Sequence, residues 1–227
     1  MINSKVYIDM DGVIADFFSA LAEFRKVNHW KDDGPITIDT SIKELQGTNF
    51  FESLPVFPFA KNLVDLVKSY TGGDWYINTS PLRDDHENSE FYKTKWLEKH
   101  KFDPKDIIVT KRKESYAVDK ETGIPNILID DRPKNLDRWI AKGGIGIRYQ
   151  ANEDSINVVK KGLDNAYGTI ANANGTNTES MFTHGERKSM PKENDRGSSI
   201  KNSNFGKPSG RQDQLTIDET KNIKGVE

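Results

Sequence analysis

The sequence predicts an α/β domain built on a parallel β-sheet and followed by a polar tail. Three observations predict it. Short, nearly all-apolar runs alternate with longer segments whose apolar residues recur every three or four positions, the pattern of strands buried between helices. Carboxylates and hydroxyls stand directly after several of these runs, at Asp9, Thr79 and Asp130, where open parallel sheets gather their sites. The apolar pattern then stops near Ala171.

Val6 to Asp9 is the first expected strand. Asp16 to about Asn28 is expected to be a helix, since Phe17, Ala20, Leu21 and Phe24 share a face. Residues 30–53 read as irregular and carry Trp30, Phe50 and Phe51. From Pro58 to Tyr70, Leu63, Leu66, Val67 and Tyr70 line one side of a second helix, which Gly72-Gly73 stops. Trp75 to Ile77 is the next strand and runs into Asn78-Thr79-Ser80-Pro81. A helix from Ser89 to His100 bears Tyr92, Trp96 and Leu97. Ile107 to Val109 and Ile127 to Ile129 are the third and fourth strands, the fourth ending in Asp130-Asp131. A helix over Asn135 to Lys142, a strand over Ile145 to Arg148 and a helix over Ser155 to Tyr167 complete a Rossmann-like parallel sheet covered on both faces.

Composition narrows the function. The 227 residues give one domain, about 1–170, and a tail, 171–227. Apolar residues make up only 34% and mean hydropathy is −0.74, because the tail is rich in Asn, Ser, Gly, Lys and Glu; it is expected to be disordered. It carries nine Lys and Arg against eight Asp and Glu, and the whole chain has a formal charge of −2. This balance argues against nucleic acid or an anionic membrane as a partner. The absence of cysteine removes disulfides, zinc thiolates and a Cys nucleophile. No apolar run reaches the 18 residues a membrane span needs. With only Met1 to Ser4 ahead of the first strand, no signal or transit peptide is expected, and the expected compartment is the cytoplasm.

The chemistry is concentrated at the strand ends. Asp9 and Asp11, in Asp9-Met10-Asp11-Gly12, follow the first strand; Thr79 and Ser80 follow the second; Lys113 stands a few residues past the third; Asp130 and Asp131 follow the fourth. Together they suit phosphoryl transfer, which needs a nucleophile, an acid/base, a cation for the phosphate oxygens and a metal. Asp9 serves as nucleophile and metal ligand, and Asp11 protonates the leaving alcohol and later activates water. Asp130 and Asp131 complete a cation shell that favours hard Mg²⁺. Lys113 offers positive charge, and Thr79 or Ser80 a hydroxyl. Taken singly, each signal has a plainer meaning. Thr79-Ser80 suits a helix cap, Asp130-Asp131-Arg132-Pro133 a solvated turn, and Lys113 a surface lysine. A calcium loop starting at Asp9 fails, because its last ligand position falls on Ala20. The joint placement favours a site. His29, His86, His100 and His184 show no metal spacing, and Trp96 and Trp139 are expected in the core.

These residues resemble the haloacid dehalogenase superfamily of phosphatases, whose pattern is Asp-x-Asp, Thr/Ser, Lys and an acidic pair. More narrowly, the chain is similar to the 5'(3')-deoxyribonucleotidases in Asp9 to Val13 with Ala15-Asp16-Phe17, in Thr79-Ser80-Pro81, in Lys93 to Lys99 and in Ile129 to Pro133. The likeness covers about residues 5–150. It implies a Mg²⁺-dependent phosphatase acting on a small-molecule nucleotide, a deoxyribonucleoside monophosphate, through an aspartyl-phosphate on Asp9. It also implies a metal shell of the Asp9 carboxylate, the Asp11 carbonyl and the acidic pair. Thr79, Ser80, Lys93 and Lys113 would hold the phosphate, and Phe17 would lie near the sugar or base. The insert, about residues 18–56, would form a small helical cap; Phe50, Phe51 and Trp30 are candidates for its aromatic wall. Spacing favours Lys113 over Lys111 as the catalytic lysine. Other phosphomonoesters, such as a polynucleotide 3'-phosphate or a sugar phosphate, remain alternatives, as do a non-catalytic nucleotide-binding module and a homodimer.

Overall fold

The computed structural model describes residues 4–173. The expected disorder of the tail falls, from residue 174 onward, outside them. Five parallel strands form one sheet: β1 (Val6–Ile8), β2 (Tyr76–Thr79), β3 (Asp106–Val109), β4 (Ile127–Asp130) and β5 (Ile145–Arg148), in the order β3-β2-β1-β4-β5. The helices are α1 (Phe17–Arg25), α2 (Ile38–Leu45), α3 (Phe50–Ser53), α4 (Ala60–Thr71), α5 (His86–Lys99), α6 (Pro133–Ala141) and α7 (Asn157–Ala173). The expected order of strands and long helices holds throughout.

Alternation along the strands explains the two layers. Val6 and Ile8 of β1 point to one face with Ile77, Ile127 and Ile129, and pack on Leu21 of α1, Leu63 and Val67 of α4 and Leu163 of α7. Tyr7 and Leu128 point to the other, against Leu136 and Trp139 of α6. Every strand residue of β1 and β4 is therefore buried, which is why these runs lack the polar alternation of a half-exposed sheet. As expected, Trp96 and Trp139 are wholly buried. Their indole N–H groups donate to the carbonyls of Leu54 (2.8 Å) and Asn126 (3.1 Å).

Residues 30–53, expected to be irregular, hold two short helices. Thr37 caps α2, accepting the Thr40 N–H at 3.1 Å, and Ile42 and Leu45 are buried on its inner face. α3 is a single turn that buries Phe51. The insert is tied to the domain at its stem. Phe57 N–H donates to Ile14 O at 3.0 Å and Asp16 N–H to Pro55 O at 2.9 Å. Asp16 also caps α1, through the Ser19 N–H at 3.1 Å. At the far end of α1 the buried Arg25 spreads its guanidinium over three backbone carbonyls, those of Ile36 (3.0 Å), Asp32 (3.0 Å) and Trp30. That clamp shapes the loop between α1 and α2.

The closing helix α7 continues beyond the expected Tyr167 to Ala173 and buries Ile170 and Ala171. Among the described residues no helix is long and apolar enough to cross a membrane.

Candidate active site

Register alone begins the site. Ile8 of β1 pairs with both Ile77 of β2 and Ile129 of β4. The next residue on each strand is Asp9, Asn78 and Asp130, so Asp9 and Asp130 reach the carboxyl edge side by side. The Asp9 N–H donates to Ile129 O at 2.9 Å. β1 is also where the chain order changes direction, with β2 on one side and β4 on the other, the position at which such sheets open a crevice.

Past β1 the chain turns at Gly12 with φ of 80°. A Cβ there would lie 2.6 Å from Asp131 Oδ2. Glycine thus serves both the left-handed backbone and the close approach of Asp131.

Asp9, Asp130 and Asp131 form one cluster, with a carboxylate oxygen of each within 4.8 Å of the others. Lys113, on a 3-10 turn over Lys113–Tyr116, sits among them. Its Nζ lies 2.7 Å from Asp130 Oδ2 and 2.9 Å from Asp9 Oδ2. The lysine is 3% exposed, so it is no surface residue. Burial opposes its charge, but Asp130 and Asp9 outweigh burial and hold its pKa above the usual lysine value. Asp9 Oδ1 accepts the Met10 N–H at 2.8 Å. Asp130 is held by the Arg132 N–H (2.8 Å) and by the Asn135 amide at 3.0 and 3.1 Å.

Asp131 differs. Both its oxygens are buried and neither has a hydrogen-bond partner. Burial, with Asp130 and Asp9 nearby, pushes its carboxyl well above the ordinary carboxylate range. A buried carboxylate without a donor is costly, and a hard divalent cation shared with Asp9 and Asp130 would resolve that cost. The residues present therefore fit Mg²⁺. The Asp11 side chain stands outside this cluster. Its Oδ2 lies 2.7 Å from Lys93 Nζ. Burial pushes the Asp11 carboxyl up, Lys93 opposes and Asp9 adds to the rise; with 22% of the side chain exposed, it can still exchange a proton with the pocket.

Lys93, on α5, is fully buried. It donates to Asp11 and to Thr79 Oγ1 (3.0 Å), beneath the Phe51 ring with Nζ 4.3 Å from the centroid. Thr79, Lys93 and Lys113 thus form a layer behind the hollow that Asp9, Asp11, Asp131, Ser80, Phe17 and Phe51 line. Phe17 and Phe51 stack with centroids 6.0 Å apart. Phe50 meets Phe17 edge-on from behind. Trp30 reaches the hollow only indirectly, its ring 5.0 Å from that of Phe18.

Several lining residues were not among the expected ones: Phe18, Arg83, Lys111, Arg132, Asn135 and Arg138. The signal for Phe18 was its place beside Phe17 at a helix start. The signal for the α6 residues was the Asp-Asp-Arg-Pro entry to that helix.

If Asp131 waits for a cation, Asp131→Asn should stabilise the metal-free protein and abolish stabilisation by Mg²⁺. The sign follows from linkage. Its pKa is raised on folding, so ionisation costs the fold stability, increasingly as pH rises through the raised value. The neutral amide removes that cost, and a gain of about 1 kcal/mol is expected at pH 8, with little at pH 4. Thermal melts with and without Mg²⁺ check this. The wild type should gain roughly 3 kcal/mol at saturating metal; an equal gain in the variant would place the cation elsewhere.

No family model matches the chain, and no curated protein matches it. Solved structures with a similar fold include a HAD-hydrolase of Bacillus subtilis, YfnB, described as bound to magnesium (16% identity, 68% of this chain and 90% of that one, TM-score 0.45). Others are the haloacid dehalogenase-like hydrolase SP0104 of Streptococcus pneumoniae (14%, 70% and 91%, 0.41) and a phosphonoacetaldehyde hydrolase-like protein of Oleispira antarctica (11%, 76% and 86%, 0.42). Likeness at this level says nothing of the substrate.

Proposed function

We propose that the chain is a Mg²⁺-dependent phosphomonoester hydrolase of the haloacid dehalogenase type that dephosphorylates deoxyribonucleoside monophosphates. The observation that carries the reading is Asp9 facing the hollow from within a cluster of three carboxylates, with buried Lys113 at 2.9 Å.

Asp9 attacks phosphorus, forming an aspartyl-phosphate as the ester P–O bond breaks. Asp11 gives its proton to the departing alkoxide. It then takes a proton from the water that cleaves the acyl phosphate and restores Asp9. The raised pKa of Asp11 suits a group that must hold a proton first. Asp9, Asp130 and Asp131 would hold Mg²⁺, and the resemblance adds the Asp11 carbonyl. Bound Mg²⁺ would neutralise charge on the transferring phosphate. Lys113 steadies Asp9 and the phosphate oxygens, and Ser80 offers its hydroxyl. Lys93 acts through Asp11 and Thr79. The stacked rings of Phe17 and Phe51 would cover the sugar or base.

The test is phosphate release, with Mg²⁺ or EDTA, from all four deoxynucleoside monophosphates, the ribonucleotides, 3'-phosphates and several sugar phosphates. Metal-dependent release that is fastest from the deoxynucleotides is expected. Release from sugar phosphates alone would retain the chemistry and refute the nucleotide.

A further inference from the structure

The hollow has two unlike walls. Phenylalanines form one. The other is cationic: Arg132 borders it at the entry to α6, Lys134 and Arg138 from α6 itself, Lys111 from the loop after β3 and Arg83 from the segment after β2. These five cations face three carboxylates, Asp9, Asp11 and Asp131. The chemistry at Asp9 does not require them. Asp9 and Asp11 already have ammonium partners in Lys113 and Lys93, and one phosphate over Asp9 would be met by Lys113 and by a cation held between Asp9, Asp130 and Asp131.

Nor are Lys111, Arg132 and Arg138 consumed by neighbours in the manner of a solvated surface. Among the described residues no carboxylate lies within ion-pair distance of Arg132 or Arg138, although Arg132 is close enough to Asp131 to act on it electrostatically. Lys111 approaches only Asp84, at 3.8 Å, with both side chains largely exposed. Arg83 does have a partner, Asp39 at 3.2 Å. The chain as a whole is slightly acidic, so the cationic wall is a local concentration. Arg132 stands at the entry to α6 and Arg138 lies within it, six residues further on, and both line the same hollow.

We propose that this wall binds a second phosphate of the substrate, so that the site takes a nucleotide carrying two phosphate groups. The scissile monoester lies over Asp9, and the other phosphate, monoester or diester, lies along Lys111, Arg132 and Arg138. The scissile half of this assignment rests on the phosphatase reading above. The second half rests on the wall itself. A guanidinium matches two phosphate oxygens at once, and two arginines and a lysine suit a group of one or two negative charges. The base and sugar then face the phenylalanines.

The test compares deoxyadenosine 5'-monophosphate with deoxyadenosine 3',5'-bisphosphate and with a 5'-phosphorylated dinucleotide. The protein is the wild-type chain and Arg138→Glu, at low and at roughly 0.2 M salt. At low salt, kcat/KM for at least one two-phosphate substrate should exceed that for the monophosphate about tenfold. Arg138→Glu, or the higher salt, should lower that ratio about fivefold. Preference for the bisphosphate names a small nucleotide, and preference for the dinucleotide names a strand end. Equal kcat/KM for all three, or a preference that Arg138→Glu leaves unmoved, overturns the proposal. Calorimetric titration of Asp9→Asn with the same three ligands separates the two readings. Tighter binding of a two-phosphate ligand without turnover by the wild type would retain the second site and sink the phosphatase. Equal Kd values would sink the second site.

Discussion

Asp9→Asn is expected to lower kcat by about four to six orders of magnitude, the usual cost of losing a nucleophile, while the protein stays folded. Stability should survive because the amide retains most of what Asp9 does structurally. Its oxygen can still accept the Met10 N–H, now 2.8 Å from Asp9 Oδ1. Lys113 loses one anionic partner but retains Asp130 at 2.7 Å. The substitution also removes one charge from a crowded cluster of three buried carboxylates, which relieves repulsion. The melting temperature should therefore stay level or rise. Phosphate release near the wild-type rate in a pure preparation would remove Asp9 from the nucleophile's place. A rate loss accompanied by unfolding would leave the cause in the fold, so melts belong beside the kinetics.

Lys113→Met should have the largest effect on stability. The ammonium is the cation between Asp9 and Asp130, and all three side chains are buried. Replacing a whole buried ion pair with apolar groups can be neutral, but removing one partner strands the other, at about 3–5 kcal/mol. Here two carboxylates are stranded beside a third. The predicted fall in melting temperature is roughly 6–20 °C at pH 8. Its pH dependence carries a definite sign. Without the lysine the carboxyls, Asp130 and Asp131 already raised, would rise further. They take up protons as pH falls, so the deficit should shrink toward pH 5. Millimolar Mg²⁺ should also recover part of it by supplying charge to the same oxygens. A variant as stable as wild type at pH 8 in EDTA would contradict the picture of Lys113 as the balancing charge.

What could be read from the sequence follows the strength of local signals. β1, β4 and their carboxylates were legible because an apolar run buried on both faces has few alternatives, and the polar residue after it must lie at an edge. Lys113 was legible only through the other motifs, since a lysine in Lys111-Arg112-Lys113-Glu114 looks solvated until the fold encloses it. Helices α2 and α3 were not legible. At eight and four residues they are too short for periodicity to speak, and burial against the domain stabilises them. Phe18 was hidden by Phe17, whose spacing with Leu21 marks the core face. The arginines of α6 were hidden for another reason. Charges spaced along a helix look like a wetted face, and only the placement of α6 beside the crevice brings them to its lining. Lys93 came from the resemblance alone, and nothing in its own surroundings in sequence marks it as buried beneath Phe51.

The carbonyl clamp at Arg25 has a bearing on how the protein's acid–base behaviour can be measured. The loop it holds carries Trp30, which backs Phe18 in the wall of the hollow. The partners of that clamp are three neutral backbone carbonyls, whereas the carboxyls of Asp11 and Asp131 at the hollow have raised pKa values. A titration of kcat/KM against pH should accordingly follow the Asp11 and Asp131 carboxyls and not the clamp that shapes the wall.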